Sequence, residues 1–313
     1  MADLNSAHFG IEWPAGRPFQ VVGLGLNAVD WICVLPRFPA HNSKVRLEAI
    51  HRLGGGQVAT ASALCARYGL SVRYVGRVGD DEIGRASLED LGKEPMELCI
   101  QTVSGASSQF AVILVDRPTG ERTILWDRDE ALAYRPGELR REWISEGQLL
   151  HLDGHDQPAA VQAARWAREA GMKVSLDIDK PQPGVEELLA LTDFLIPSTD
   201  FVRNFSGTED WRKGLRALSG TTKGFVAMTR GKSGAAALWE QEIFEVPGTE
   251  VEVVDTTGAG DVFHGAFVFG LFQGWSAARC LEFAAVAGAL SCSCYGARGG
   301  IPPLGKILAI VDS

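Results

Sequence analysis

The sequence predicts an α/β fold: a doubly wound, mostly parallel central sheet with helices on both faces, and a small β-sheet lid. Two observations carry this. Beyond residue 147 the chain alternates strand-like and helix-like runs: "GQLLHLD", "PAAVQAARWAREAG", "KVSLDI", "VEELLAL", "DFLIPS" and "GFVAMTR". Such alternation implies parallel strands covered by helices on both faces. Before it, the runs at 31–53 and 96–126 read as antiparallel strands, which suits a small sheet set apart from the main one. No linker, repeat or low-complexity tract separates the two. Residues 1–313 are therefore read as one domain, with lid strands inserted at about 31–53 and 96–126.

The elements follow in order. "FQVVGLGL" (19–26) reads as a buried strand, and "VDWICVLPRFP" (29–39) as an extended run stopped by prolines. "SKVRLEAIHRL" (43–53) alternates like a strand with one wet face. "GGGQVATASALCARYG" (54–69) opens a helix with Val58, Ala61, Cys65 and Tyr68 at helical spacing and Gly69 as its stop. "SVRYVGRVG" (71–79) is a strand, and "DDEIGRASLEDLGK" (80–93) a helix whose leading acids suit its dipole. "MELCIQTV", "SQFAVILVD" and "ERTILW" are three further strand-like runs. The end is helical from Gly258 to about Cys294, and "VFHGAFVFGLF" is apolar all round, which marks a core helix; His264 in it reads as a structural histidine, with a proton relay as the alternative.

The chain has 313 residues, 46% hydrophobic and 22% charged, an ordinary globular balance. Its net charge of −9 argues against a general binder of nucleic acid or membrane surfaces, yet leaves room for an anionic ligand in a cleft. Six cysteines without a C-x-x-C pair read as reduced, mostly buried thiols of a cytoplasmic protein. "MADLNSAHFGIEWPAGRPFQ" lacks the basic start and apolar core of a signal peptide. No apolar stretch reaches the roughly 18–20 residues of a membrane helix.

The chemistry concentrates in "VDTTGAGDVFHGAF" (254–267). A helix cap needs one Ser, Asp or Asn. Here Gly258, Ala259 and Gly260 leave the backbone bare where the first N–H groups of a helix have no internal partners, and together with the helix dipole they form an anion site. An aspartate beside a phosphate would repel it unless it has another task. Asp261 is placed to be a general base, taking a hydroxyl proton while the N–H groups hold charge on a transferring phosphoryl group.

This string resembles the signature of the ribokinase-like (PfkB-type) sugar kinase family. The resemblance covers nearly the whole chain, from "GLGLNAVD" to "YGARGGIP", and includes "GGGQVATASA", "VGRVGDDEIG" and "TRGKSGAAAL". It implies a ribokinase-like fold, ATP with Mg²⁺ as the phosphoryl donor, and a sugar or related polyol as acceptor. It implies Asp261 as the catalytic base, with Gly258, Ala259 and Gly260 as its anion hole. Asp30 matches the acid that binds sugar hydroxyls, and Gly54 and Gly55 the glycines that admit the sugar. Thr229, Gly231, Lys232 and Gly234 fall in the nucleotide turn. Asp255 and the Thr257 backbone match a monovalent-cation site, implying K⁺. Two positions depart from the pattern. Ser198 and Phe201 stand where an Asn-x-x-Glu pair usually organises magnesium-bound water, and Thr60 stands where an Asn is common near the sugar.

Other motifs are weighed against this. "GLGLNA" (23–28) fits a dinucleotide fingerprint but is followed by a β-rich, proline-broken run instead of a helix. "GFVAMTRGKSG" has the wrong spacing for G-x-x-x-x-G-K and continues into a strand. "HLDGHD" (151–156) follows a strand and lies where ligand-facing loops sit. His151, Asp153, His155 and Asp156 lack a distant third partner for a metal. Asp153 and His155 are read as contacts to substrate hydroxyls, and the acidity of the loop favours a neutral polyol over a phosphorylated or sulfonated sugar. A solvated loop capping the next helix is the alternative. Arg230 and Lys232 are set to neutralise ATP phosphates or to form salt bridges on a turn, and Arg128 and Asp129 to reach over the substrate. A nucleoside kinase is the runner-up; the sequence shows no aromatic clamp near Asp30. A silent sugar- or nucleotide-binding regulator is the rival that Ser198 and Phe201 suggest, and Asp261 speaks against it. Apolar outer faces on the lid strands suit a homodimer.

Overall fold

The computed structural model describes residues 7–313; the part of the signal-peptide reading that falls on residues 1–6 lies outside them. The chain opens with β1 (Phe19–Leu24), β2 (Ala28–Leu35) and β3 (Ala49–Gly55), then α1 (Gln57–Arg67), β4 (Val72–Gly79), α2 (Glu82–Leu91), β5 (Glu97–Val103), β6 (Phe110–Asp116) and β7 (Arg122–Asp127). It continues through α3 (Arg141–Ile144), β8 (Gly147–Leu152), α4 (Gln157–Glu169), β9 (Lys173–Leu176), α5 (Val185–Leu191), β10 (Phe194–Leu195), α6 (Thr199–Ser206) and α7 (Trp211–Ser219). It ends with β11 (Phe225–Thr229), β12 (Ala235–Trp239), β13 (Glu242–Val246), α8 (Ala259–Phe272), α9 (Ala277–Ser291) and α10 (Leu304–Val311).

Nine strands form the main sheet in the order β13-β12-β11-β10-β9-β8-β1-β4-β5, parallel from β11 to β5 and antiparallel at β12 and β13. The winding reverses at β1 and β8, so their carboxyl ends diverge there and leave a crevice. Successive side chains of a strand point to opposite faces, and two cores result. Val21, Phe225 and Ala227 pack with α1, α8 and α9, whereas Val22, Val226 and Met228 pack with α4, α5, α6 and α7. Helix α8 is buried nearly throughout because it is wedged between α1 and α9. Gly265 lets it approach the α1 backbone, where a Cβ would stand 2.8 Å from the Ala61 carbonyl oxygen.

The lid is a four-stranded sheet, β3-β2-β6-β7. Its limits differ from the sequence reading. "MELCIQTV" belongs to β5, which pairs parallel with β4 at the edge of the main sheet instead of joining the lid. The reason is the connection: β4, α2 and β5 form a βαβ unit, and an edge strand with one wet face has the same period-two pattern as a lid strand. Arg73 and Arg77 fasten it, donating to Glu97 (2.7 Å) and Gln101 (2.9 Å). The lid therefore comprises 28–55 and 110–127, and 43–48 carries no strand. No described helix is long and apolar enough to cross a membrane.

Phe267, fully buried, stacks on Phe225 (5.9 Å between centroids) and meets Phe194 and Phe9 edge-on at 5.9 and 6.1 Å. Phe267→Ala is expected to destabilise the fold by about 3–5 kcal/mol, measured by denaturant titration; a loss below about 1 kcal/mol would contradict this packing.

Candidate active site

The crevice between the carboxyl ends of β8 and β9, the start of α8 and the inner face of the lid holds a cavity of about 380 Å³. Asp30, Asp153, His155, Asp179, Thr257, Gly258 and Asp261 all line it.

Gly258 makes its floor. It caps α8 in the left-handed conformation (φ 78°), and a Cβ there would overlap Ala297. Asp255 fixes the turn before it: one carboxylate oxygen accepts from Thr257 N–H (2.9 Å) and Oγ1 (2.7 Å), the other from Gly296 N–H (2.9 Å). Ala259 N–H turns back to Thr256 O, and Val262 is the first to reach an i−4 carbonyl, that of Gly258. The N–H groups of Gly258, Gly260 and Asp261 have no acceptor among the described residues. Three unpaired donors at a helix N-terminus suit an anion.

The acids around them are crowded. The Asp261 carboxyl is pushed well up by loss of hydration and by Asp177 and Asp179, with Arg122 opposing. Asp30 lies in β2, buried against Gly55, and burial pushes it up to about 7 while Arg298 opposes. Asp153 accepts from Leu26 N–H (2.6 Å) and His155 N–H (2.9 Å), which ties the end of β1 to its own loop; burial still pushes it up. Asp177 is the exception. Burial is the largest influence and would raise it, but His264, 3.2 Å away, together with His151 and Gln57 brings it below the ordinary value. Asp179 accepts from Gln57 Nε2 (2.9 Å) at the cavity rim and is pushed up to about 6, first by lost hydration and then by Asp177.

Several predicted residues lie elsewhere. Gly54 and Gly55 do not line the cavity, Gly56 does; a Cβ at Gly54 would overlap Arg298, and one at Gly55 would overlap Asp30. Thr60 is fully buried in α1 with no partner for its Oγ1, so it does not reach the crevice. In "HLDGHD", His151 is buried beside Ser175 (3.3 Å) and pushed down to about 3, first by burial, and Asp156 caps α4 while accepting from Tyr134 N–H. Thr229, Gly231, Lys232 and Gly234 sit at the carboxyl end of β11, along the same edge of the sheet but outside the cavity. Arg230 is engaged by Glu245 (2.6 Å) and stacks over Trp211. Ser198 caps α6 by accepting from Phe201 N–H (3.2 Å), and Phe201 is fully buried against Phe205. Asp129 accepts from Ala131 and Ser107 N–H groups, and Arg128 donates to Leu132 O.

Sequence reasoning missed Asp177, Asp179, Arg122, Trp126 and Arg298. The signal for the first two was present, since "LDID" puts two acids directly past a buried strand. Arg122 and Trp126 share the inward register of β7 with Ile124. Arg122 donates to Thr256 Oγ1, joining the lid to the turn before α8, and Trp126 meets His155 edge-on at 5.6 Å. Only tertiary contact reveals these.

Residues 19–303 match the family model described as pfkB family carbohydrate kinase. The chain is 28% identical over 280 residues to the ATP-dependent ribose-1-phosphate kinase of Halopiger xanaduensis, covering 88% of this chain and 93% of that one. It is 27% identical to the ribokinase of Lactococcus lactis, covering 93% and 96%. It shares its fold with Arabidopsis thaliana ribokinase complexed with ribose and ATP: TM-score 0.79, 24% identity, 94% and 99% covered.

The raised carboxyls give stability a definite pH dependence. A carboxyl whose folded pKa lies above its unfolded value binds more protons folded than unfolded, so stability falls as pH rises between the two. Asp30 titrates near 7 against an ordinary 3.8; His151, depressed, opposes this only below its ordinary 6.5. The ligand-free Tm is therefore expected to fall from about pH 6.5 to 7.5, above which the Asp30 contribution levels off, and less steeply in Asp30→Asn. A Tm that rises over that window would overturn the assignment.

Proposed function

Because the chain belongs to the pfkB family of carbohydrate kinases, we propose that this sugar kinase phosphorylates a hydroxyl of a neutral sugar or polyol, with Asp261 as general base. The observation that carries this is the placing of the Asp261 carboxyl beside unpaired helix N–H groups on one cavity floor. A raised pKa suits a group that must take a proton from an alcohol. The acceptor oxygen attacks the γ-phosphorus of ATP, its proton passes to Asp261, and the bond to the β-phosphate oxygen breaks to release ADP. The N–H groups of Gly258, Gly260 and Asp261 meet charge on the transferring group.

Asp30 and Asp153 hold acceptor hydroxyls, and His155 closes that side. Their acidity favours a neutral acceptor. Trp126 lies edge-on to His155, not parallel to a second ring, which favours a sugar over a nucleobase. The lid excludes water, so that Asp261 activates the acceptor hydroxyl and not water. The nucleotide lies toward Thr229, Gly231, Lys232 and Gly234, on the same sheet edge. Mg²⁺ takes hard oxygen donors and supplies charge neutralisation on the phosphates. With Ser198 and Phe201 turned away, Asp179 on the cavity rim is the acid that would hold its water shell. Asp255 is fully buried and met by two N–H groups and a hydroxyl, and with the Thr257 backbone it would be the group to hold K⁺.

The outer lid face carries Trp31, Val112 and Leu125 in one row that ends at Arg52, with Ile50 opposite Cys33 in the next row of the same face; Ile50 and Leu125 are exposed. A second copy of the chain would cover it. The six free thiols and the use of ATP fit a cytoplasmic enzyme.

ADP release from Mg-ATP is the test, run with ribose, fructose, mannitol, adenosine and ribose 1-phosphate, with and without K⁺. One neutral sugar is expected to support turnover, and Asp261→Asn to lower kcat by about 10²–10⁴-fold while folding normally. Preference for the phosphorylated sugar would overturn the neutral-acceptor reading, and near-normal turnover by the variant would overturn the base. For the dimer, sedimentation is expected to give two copies for wild type and one for Leu125→Asp; a monomeric wild type would refute it.

A further inference from the structure

Gly54 and Gly55 stand in a thin wall between two charged groups. On one side is the Asp30 carboxylate, against which a Cβ at Gly55 would collide; on the other is the Arg298 guanidinium, which a Cβ at Gly54 would overlap. Arg298 is 3% exposed. A buried charge persists only when it is paired and hydrogen-bonded, and this one is: Nε and Nη2 donate to Asp90 Oδ2 in α2 (3.0 and 2.7 Å), and Nη1 donates to Gly55 O (2.9 Å). Its own carbonyl accepts from Arg67 Nη1 in α1 (2.9 Å).

The two residues before it serve the other half of the site. Gly296 N–H donates to Asp255 Oδ2, and Ala297 packs against Gly258 and lines the cavity. Three consecutive residues, Gly296, Ala297 and Arg298, thus touch the catalytic turn at one end and the base of the lid at the other.

We propose that Arg298, anchored by Asp90, is a positioning residue for the acceptor: it fixes the Gly54–Gly55 backbone, and with it Asp30, relative to the anion-binding turn at Gly258. The inference rests on the sugar-kinase reading above. The planar guanidinium reaches a carboxylate and a carbonyl at once in a fixed fork, which the point charge of lysine cannot copy. Its charge also opposes the burial that raises Asp30. Since the fork acts on the acceptor side, its loss weakens the acceptor and leaves the nucleotide alone.

The experiment compares wild type with Arg298→Gln, Arg298→Lys and Asp90→Asn. KM and kcat are measured for D-ribose or D-fructose, whichever wild type turns over better, and KM for Mg-ATP. Arg298→Gln is expected to raise the acceptor KM about tenfold or more, with the ATP KM within about twofold and a smaller fall in kcat. Arg298→Lys and Asp90→Asn are expected to lie between it and wild type. If Arg298→Gln does not fold, the other two decide in the same way. An unchanged acceptor KM, or an ATP KM that rises in step with it, overturns the proposal. If wild type turns over neither sugar, the fault lies in the acceptor reading. Calorimetric binding of the same sugars to wild type and variants then decides on Arg298: weaker binding in Arg298→Gln supports it, and equal binding or none to wild type overturns it.

Discussion

The left-handed turn at Gly258 is the constraint on which the site depends. It rotates the chain so that α8 starts with its N–H groups open to the crevice, and it exists because Asp255 draws Thr257 and Gly296 together around one carboxylate. A side chain at 258 would meet Ala297 as well as an unfavourable φ. Everything at the floor follows from this turn: the direction of the helix dipole, the position of Asp261 and the contact with the segment that carries Arg298.

That placement has an electrostatic cost, and the fold contains it unevenly. Asp30, Asp153, Asp179 and Asp261 are held in an environment that disfavours their charged forms, while Asp177 alone has a histidine partner beneath it. Crowded carboxyls are common where function, not stability, selects the residue. Arg122 and Arg298 bring the counter-charge from the lid and from the segment after α9.

The sequence made the fold class legible because strand–helix alternation is a long-range pattern that many residues report together. The floor of the site was legible too, since two glycines and an acid at the start of an apolar helix are more than a cap requires. Period-two alternation failed at β5, because it records a wet face and not the sheet to which that face belongs. Gly54 and Gly55 were visible as glycines, but what needed the space was not: Arg298 lies over 240 residues away in the chain. Arg122 and Trp126 were invisible for a related reason, as the inward side of an exposed lid strand is set by its register with β6.

The late position of α8 has a consequence for how the protein is made. Both strands that flank β1, and all four lid strands, leave the ribosome before residue 153, while the helix that carries Asp261 and covers α1 begins at residue 259. A nascent chain can thus pair its lid and the sheet around β1 while the apolar surface of α1 that meets Gly265 stays open to water or to a chaperone. Asp30 and Asp153, proposed to hold the acceptor, thus precede in the chain the helix that carries Asp261, proposed as the base.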